Sequence, residues 1–315
     1  MRILITGGTG FLGKRLAKEA LKRGALVAVF SRRPDEELQR LGAKIIIGDI
    51  LSREQLKTAF EGYDVVYHLA AELDESSPDL WALNVEGTRN VVNACKACGV
   101  KRIIFSSSIG VLGESKAALT EDAPYAPGTE YEKSKAAAER LVMASGLPYT
   151  IARITIIYGP NRFWSKIFAA AKKGYPIIGS GRNYWHIVHV DDAVDALIRM
   201  LRPVARNQVY NIADGEPHTY GEVYKNIAKA LEIPAPEKHV PVWLANLGAF
   251  IYETKCRIRG KKPNATMMRA SIRRLVRNRI VSIEKAARDL GYSPKYSLED
   301  GIKKTLDEMN VIEKK

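Results

Sequence analysis

Two side chains in segment 130–135, which reads EYEKSK, have the types and the spacing that acid–base chemistry needs. Tyr131 and Lys135 are four residues apart, so a helix places them one turn from each other on the same face. A phenol with its ordinary pKa of about 10 transfers a proton poorly at neutral pH, and a neighbouring ammonium lowers that pKa. The spacing therefore fits a proton donor with its tuning cation, but it also fits the solvated start of a helix.

A glycine-rich turn near the N-terminus is the first element that would position this pair. The segment ITGGTGFLGKRL carries Gly7, Gly10 and Gly13 between a strand-like run and a helical run. Glycine permits positive φ and a close approach of backbone to a pyrophosphate, and the following helix offers its free N–H groups to the phosphates. This context predicts a dinucleotide-binding turn, with Phe11 and Leu12 as further cofactor contacts.

The end of the second strand indicates which dinucleotide is bound. That strand ends AVFSRRP, with Ser31, Arg32 and Arg33 where an NAD site usually places a carboxylate for the ribose 2′-hydroxyl. An arginine there pairs instead with a 2′-phosphate. We therefore favour NADP(H) and keep NAD(H) as the alternative; two exposed arginines after a strand would explain the same residues without any cofactor.

Further cofactor contacts are expected where the third and fourth strands end. Asp49 in IIIGDI has a carboxylate that can accept a hydrogen bond from the adenine amino group, and Ile50 follows it. The fourth strand leads into Leu69, Ala70 and Ala71, whose last two side chains are small enough for the cofactor to pass over backbone.

Three consecutive serines end the fifth strand in IFSSSIGVLG. The carboxyl edge of a parallel strand faces the ligand crevice, so one of these hydroxyls can donate to a substrate oxygen, although serine also favours ordinary strand-end turns. Ser106 is expected to contact the cofactor, as is Ile154 at the end of the following strand.

The fold class follows from the alternation of apolar runs and helical patterns. RILIT, LVAVF, KIIIG, DVVYHLA, KRIIFSS and YTIAR read as strands that are apolar on both faces, with helical stretches between them. This pattern predicts an α/β fold, a Rossmann-type doubly wound parallel sheet. We expect a dinucleotide-binding domain over residues 1–157 and a smaller, mostly helical substrate domain over 158–315, with a part near 186–212 returning to the first.

Charge is distributed unevenly along the 315 residues, whose formal net charge is +14. No acidic residue stands between Glu253 and Glu284. The basic residues of that interval are Lys255, Arg257, Arg259, Lys261, Lys262, Arg269, Arg273, Arg274, Arg277 and Arg279. A solvated face is the plain interpretation; a phosphate-bearing substrate or a weak contact of 255–279 with an anionic surface are the alternatives, and no nucleic acid is expected.

Cysteine usage and hydropathy indicate a cytoplasmic protein. Three cysteines make no disulfide framework, and the C-x-x-C of Cys95 and Cys98 has no second ligand pair, so no metal site is expected. No signal peptide and no run of about 20 apolar residues is present. The nearest run, VWLANLGAFIY, reads as a buried helix or as a lid beside an apolar substrate site.

In chain order, TGGTGFLG, DI, HLAA, NVEGT, SSSIGVLG, YEKSK, YGPN, HVDD and LGYSPKYSLEDGI resemble the extended short-chain dehydrogenase/reductase superfamily. The similar branches are the NAD-dependent epimerase/dehydratase, dihydroflavonol-reductase-like and 3β-hydroxysteroid-dehydrogenase-like groups. The resemblance implies that Tyr131 is the acid–base group, that Lys135 tunes it and holds the nicotinamide ribose, and that Ser108 binds the substrate oxygen. It also implies a homodimer built on the helices of NVEGT and YEKSK.

Departures from the family pattern favour one activity. Ile109 and Gly110 follow Ser108, where related dehydratases carry an Asp-Glu pair, which argues against dehydration. Trp185 and His186 replace polar groups of the epimerases, although Arg182 lies close enough to keep an epimerase open. The leading hypothesis is an NAD(P)-dependent oxidoreductase acting on a carbonyl or secondary alcohol of a small-molecule substrate. The alternatives are a nucleotide-sugar epimerase with retained NAD and a non-catalytic dinucleotide sensor.

Overall fold

The computed structural model describes residues 1–261 and 268–313, and side chains as far as 310. Lys262 of the basic interval therefore lies outside the described residues. The strands are β1 (Arg2–Thr6), β2 (Leu26–Ser31), β3 (Lys44–Ile47), β4 (Val65–His68), β5 (Arg102–Ser108), β6 (Tyr149–Ile154), β7 (Ile156–Tyr158), β8 (Ile177–Ile178), β9 (Tyr184–Trp185), β10 (Ile187–His189), β11 (Gln208–Ile212), β12 (His218–Thr219) and β13 (His239–Val240).

The helices alternate with these strands in the first half of the chain and dominate the second. They are α1 (Phe11–Lys22), α2 (Glu36–Arg40), α3 (Arg53–Phe60), α4 (Gly87–Ala97), α5 (Glu130–Met143), α6 (Arg162–Lys172), α7 (Val190–Arg199), α8 (Tyr220–Ala230), α9 (Val242–Ile258), α10 (Arg269–Leu275), α11 (Glu284–Leu290) and α12 (Leu298–Glu313). A π-helical turn (Ala82–Glu86) precedes α4, and 3₁₀ turns span Ile109–Leu112 and Pro203–Ala205.

The central sheet confirms the predicted doubly wound fold. Within the described residues it has seven parallel strands in the order β11-β6-β5-β4-β1-β2-β3. The strand order reverses beside β1, and such a reversal creates a crevice at the carboxyl edge of the sheet. The seventh strand, β11, pairs with β6 and so comes from the region near 186–212; the division of the chain at residue 157 stays a prediction.

Helices cover both faces of the sheet, which explains why its strands are apolar on both sides. On one face α1 and α7 pack together, and their Leu16 and Leu197 join a core with Ile3 and Ile5. On the other face α3, α4 and α5 bury side chains against the alternate residues of the same strands. Cys95 is fully buried in this second core, where burial raises the pKa of its thiol.

A third layer of aromatic residues lies beyond the carboxyl edge of the sheet. Trp164 of α6, Tyr220 and Tyr224 of α8, and Ile302 of α12 form this core. The N-cap of α7 is His189, whose Nδ1 accepts the N–H of Asp191, and Asp191 and Asp192 stand in the first turn of the helix. In the described ranges, no helix is both long and apolar enough to cross a bilayer.

An ion pair buried beneath α5 ties that helix to the sheet. The Glu139 and Arg153 side chains are 0% and 4% exposed, and Arg153 Nη2 lies 3.0 Å from Glu139 Oε2. The Tyr125 hydroxyl donates to the same oxygen at 2.7 Å, and Arg153 Nη1 donates to the Glu121 carbonyl at 2.8 Å. Each polar atom of the pair thus gains a partner, which burial of two charges requires.

Replacement of Glu139 by glutamine is expected to lower the free energy of unfolding by about 3 kcal/mol, because the buried guanidinium loses its counter-charge. Urea denaturation followed by circular dichroism measures this loss. The matched control is Glu86→Gln, whose partner Arg89 is 49% exposed and lies 3.1 Å away; it should change stability by less than about 0.5 kcal/mol. Equal effects of the two substitutions would contradict the account of the buried pair.

Candidate active site

A cleft of about 640 Å³ opens where the strand order reverses, at the carboxyl edge of the sheet. It is lined by Gly7, Thr9, Gly10, Phe11, Leu12, Gly13, Phe30, Ser31, Arg32, Gly48, Asp49, Ile50, Leu69, Ala70, Ala71, Leu73, Leu83, Ser106, Ser107, Ser108, Tyr131, Lys135, Ile154, Thr155, Ile156, Ile157, Asn161 and Phe163. The expected cofactor and acid–base residues are thus brought together, with the exception of Arg33, which is exposed outside this lining.

The glycine turn is shaped so that backbone, and not side chains, faces the cleft. Gly7 has a φ of +72°, and a Cβ there would lie 2.6 Å from the backbone nitrogen of Ala70. A Cβ on Gly13 would lie 2.3 Å from the Gly7 carbonyl oxygen. Gly10 is the N-cap of α1 and has no side chain to satisfy the first N–H groups of that helix. Such a turn fits the pyrophosphate of a dinucleotide.

The other end of the cleft carries a positive charge after β2. Arg32 lines it, and the Ser31 hydroxyl orders the turn by donating to the Arg33 carbonyl at 2.5 Å. The first acid after this strand, Asp35, lies outside the lining: it caps α2 and its Oδ2 is 2.9 Å from Lys14 Nζ, which helps to hold the pKa of Asp35 below its usual range even though burial acts to raise it. Among the described residues, the turn after β2 therefore places no carboxylate in the cleft, where an NAD site usually binds the ribose with one.

Asp49 lies across from that turn with one carboxylate oxygen engaged. Its Oδ1 accepts the N–H of Leu51 at 2.9 Å, while its own N–H donates to Gln55 Oε1 at 2.9 Å. These two bonds fix the side chain at the cleft wall. Ile50, Ala70 and Ala71 line the same cleft, and the adenine contact of Asp49 stays a prediction.

Lys135 is buried to 2% exposure on the α5 side of the cleft, with its ammonium bound to backbone. Its Nζ donates to the Ser106 carbonyl at 2.7 Å and lies 4.1 Å from the centre of the Phe105 ring. Burial lowers the pKa of Lys135 to about 7, although the charge of Glu139 one turn further along acts to raise it. The buried amino group has thus lost much of its hydration, which other polar groups in the cleft can replace.

Tyr131 lies in the same cleft, half-buried, and its pKa is raised to about 12 because burial disfavours the phenolate. Two cations oppose that rise, and both come from the basic C-terminal segment: Arg274 and Arg279. Two carboxylates, Glu132 and Glu75, act in the other direction. Sequence reasoning assigned the tuning charge to Lys135 alone and missed these arginines, because nothing in the spacing of residues so distant along the chain reveals the contact.

The start of α5 is held by Glu132, the neighbour of Tyr131. Glu132 is 2% exposed; its Oε2 accepts the backbone N–H groups of Gly128 and Thr129 at 2.8 and 3.1 Å, which completes a capping box. The same carboxylate pairs with Arg277 at 3.4 Å and with Arg279. Gly110, two residues after Ser108, leaves the space that the Glu132 side chain fills, since a Cβ there would lie 2.7 Å from Glu132 Cγ.

Part of the basic interval is thus not a solvated face. Arg274 lies 3.2 Å from Glu75, Arg277 lies 3.9 Å from Glu114, and Arg269 lies 2.9 Å from Glu253. Arg274 and Arg277 thus link the C-terminal segment to the first half of the chain, while Arg269 joins α10 to α9.

Three hydroxyls on the floor of the cleft are available to a ligand. Ser108 Oγ accepts the N–H of Gly110 at 3.1 Å, which leaves its O–H free to donate. Ser107 Oγ and Thr155 Oγ1 are buried without a hydrogen-bond partner in the part of the chain that the structure describes. Buried hydroxyls normally have partners, which ordered water or a bound ligand supplies in such a site.

A buried polar network joins the π-helical turn before α4 to α5, the helix that carries Tyr131. The π-turn presents Asn84, 1% exposed, whose Nδ2 donates to Ser134 Oγ at 2.9 Å and to the Glu72 carbonyl at 3.0 Å. Ser134 Oγ donates in turn to the Tyr131 carbonyl at 2.7 Å. Asn84, the first residue of the NVEGT motif, thus joins the loop after β4 to the helix that carries Tyr131.

Comparisons with known proteins agree with this geometry. Residues 3–213 match the model of the NAD dependent epimerase/dehydratase family. The chain is 28% identical to 2-alkyl-3-oxoalkanoate reductase of Shewanella oneidensis, covering 95% of this chain and 84% of that one. It is 30% identical to N-acetyl-alpha-D-glucosaminyl-diphospho-ditrans,octacis-undecaprenol 4-epimerase of Escherichia coli O157:H7, covering 96% and 94%.

Among solved structures, MoeE5 in complex with UDP-glucose and NAD superposes with a TM-score of 0.80 at 25% identity, over 100% of both chains. The architecture, the glycine turn and the family match over two thirds of the sequence lead to one assignment. The chain belongs to the NAD dependent epimerase/dehydratase family.

Proposed function

We propose that this enzyme is an NADP(H)-dependent oxidoreductase that interconverts a carbonyl and a secondary alcohol on an apolar small molecule. The observation that carries the proposal is the convergence of Tyr131, Lys135 and Ser108 in the cleft that the glycine turn opens. When bound, the nicotinamide supplies or accepts the hydride. What the chain itself contributes is the proton, its placement and the exclusion of water.

Tyr131 is suited to give a proton to a substrate oxygen. Burial keeps its pKa near 12, so at neutral pH the hydroxyl carries the proton that reduction of a carbonyl consumes. The free O–H of Ser108 donates to the same oxygen and fixes it beside the phenol. In the direction of alcohol oxidation the phenolate is the base, and the positive charges of Arg274 and Arg279 favour its formation.

The walls of the substrate end support an apolar substrate. Leu73, Leu83, Ile156, Ile157 and Phe163 are among the residues that line the cleft. The name of one relative, 2-alkyl-3-oxoalkanoate reductase, describes an oxo acid with an alkyl substituent. An apolar substrate with one carbonyl is the class that these walls and these three hydroxyls favour.

A nucleotide-sugar epimerase is the second candidate; the 30% identical 4-epimerase supports epimerisation, although its name gives a diphospho-undecaprenol sugar and not a nucleotide-sugar. Arg182, which the sequence offered as its pyrophosphate ligand, is exposed and outside the cleft lining.

A non-catalytic sensor is the third candidate; the burial of Lys135 in the same cleft as Tyr131 supports catalysis instead. A homodimer through α4 and α5 remains a proposal, since Ala136 and Ala138 are already buried within their own chain.

Replacement of Tyr131 by phenylalanine is expected to reduce turnover of a carbonyl panel about 10²- to 10⁴-fold, because the proton donor is lost while the ring stays. The measurement is NADPH oxidation followed by absorbance, with cofactor affinity determined in parallel and expected to be unchanged. Tyr175→Phe, at a side chain 55% exposed, is the control. Undiminished turnover in Tyr131→Phe would remove the acid–base assignment and favour the sensor.

Replacement of Arg32 by alanine is expected to weaken NADP⁺ binding about tenfold or more while changing NAD⁺ binding by less than about twofold, because only the 2′-phosphate loses a counter-charge. Isothermal titration calorimetry with both dinucleotides measures the difference. Arg33→Ala is the matched control, one residue further and outside the cleft. If wild-type enzyme bound NAD⁺ more tightly than NADP⁺, the cofactor preference would be reversed.

A further inference from the structure

One helix exposes a continuous apolar face that the cleft does not use. In α9 the exposed fractions of the large apolar side chains range from 44% to 78%. These residues, the α9 face, are Trp243, Leu244, Leu247, Phe250, Ile251 and Ile258. Exposed apolar side chains scattered singly are ordinary, but a contiguous set of this size marks an interaction surface. The interpretation of VWLANLGAFIY as a buried helix is therefore wrong for this side of it.

The positions of these residues place them on one side of the helix. At about 100° per residue, the α9 face spans an arc of roughly 120°. The opposite side packs on the protein: Ala249 is buried, and Val242, Ala245 and Cys256 are half-buried. The apolar arc is thus mostly turned to solvent, apart from Phe250, over whose ring Arg269 of α10 lies at 5.1 Å, and none of its residues lines the cleft.

Basic side chains border the same face. Lys255 and Arg257 lie on either side of the apolar arc by the same helical geometry, and Arg259 and Lys261 follow the last turn; all four are exposed. Between Glu253 and Glu284 the sequence contains no acidic residue, and the whole chain has a formal net charge of +14. Exposed apolar side chains bordered by basic ones suit contact with an anionic bilayer surface.

The sign of these charges distinguishes this occupant from a second copy of the chain. A two-fold interface brings the same patch of both copies together, so the lysines and arginines beside one α9 face would meet their own equivalents. An anionic lipid surface meets them with opposite charge. The helix has 17 residues and ends in basic side chains, so it suits the interface and not a span.

We propose that α9 docks this enzyme on anionic membranes, with the α9 face inserted among the acyl chains at the headgroup boundary and its flanking basic residues on the headgroups. α10 packs against α9, and its Arg274 pairs with Glu75 at the rim of the cleft. The docked helix is thus joined through one short helix to the residues around Tyr131. Docking does not depend on the chemistry proposed for the cleft.

Flotation of the full chain with vesicles tests the docking. The chain is expected to bind phosphatidylcholine vesicles that contain phosphatidylglycerol, to bind phosphatidylcholine alone much less, and to be released by high salt. Leu247→Ser should lower the partition coefficient about tenfold, and Lys255→Gln about fivefold. Leu26→Ser is the control, since Leu26 is a 67% exposed leucine at the start of β2, away from α9. Unchanged melting temperatures show that each variant is folded.

Trp243 provides a second readout, because acyl-chain quenchers should reduce its emission in anionic vesicles and the Trp243→Phe variant should lose that response. The proposal is overturned if the chain fails to bind anionic vesicles, or if Leu247→Ser and Leu26→Ser bind them equally. It is also overturned if sedimentation shows a dimer that Leu247→Ser disrupts while vesicle binding is absent, since a second copy would then cover the α9 face.

Discussion

The Glu132 carboxylate is the interaction on which the site depends most. It caps α5 through two backbone N–H groups, and it pairs with Arg277 and Arg279 from a segment almost 150 residues later in the chain. The buried Glu132 carboxylate therefore helps to fix the start of α5, where its neighbour Tyr131 stands. The cost of burying a carboxylate is offset because both oxygens have donors, and one of the two arginines, Arg279, also extends positive charge toward the phenol.

The cofactor end and the acid–base end meet different physical requirements. Phosphates need free backbone donors, which the side-chain-free turn of Gly7, Gly10 and Gly13 supplies. The phenol needs a setting that keeps its proton until a substrate oxygen arrives, which burial supplies by raising its pKa. Lys135 lies between the two ends, bound to the Ser106 carbonyl, with a pKa lowered to about 7 by burial. Ligand oxygens that reach its ammonium would restore part of the solvation it has lost.

Much of the fold was predictable because it depends on local periodicity. Strands apolar on both faces, a glycine turn between β1 and α1, and helical stretches between strands are each visible within about 15 residues. The glycine turn, Tyr131 and Lys135 were found in the same way. The contacts of Asn84 with α5, the position of Thr155 and the arginines around Glu132 were not, because they arise between segments distant in sequence. The exposure of α9 was also hidden, since an apolar run reads alike whether it is buried or uncovered.

The central claim is that this cleft holds an NADP-type dinucleotide and an apolar substrate, and not a nucleotide-sugar. The most direct measurement is the thermal stabilisation of wild-type enzyme by NADP⁺, NAD⁺, UDP and a UDP-sugar, each added alone at the same concentration. At one ligand concentration, a ligand that binds only the folded state raises the melting temperature more, the more tightly it binds. The account predicts the largest shift with NADP⁺ and none with UDP. A strong shift with UDP or the UDP-sugar would contradict it.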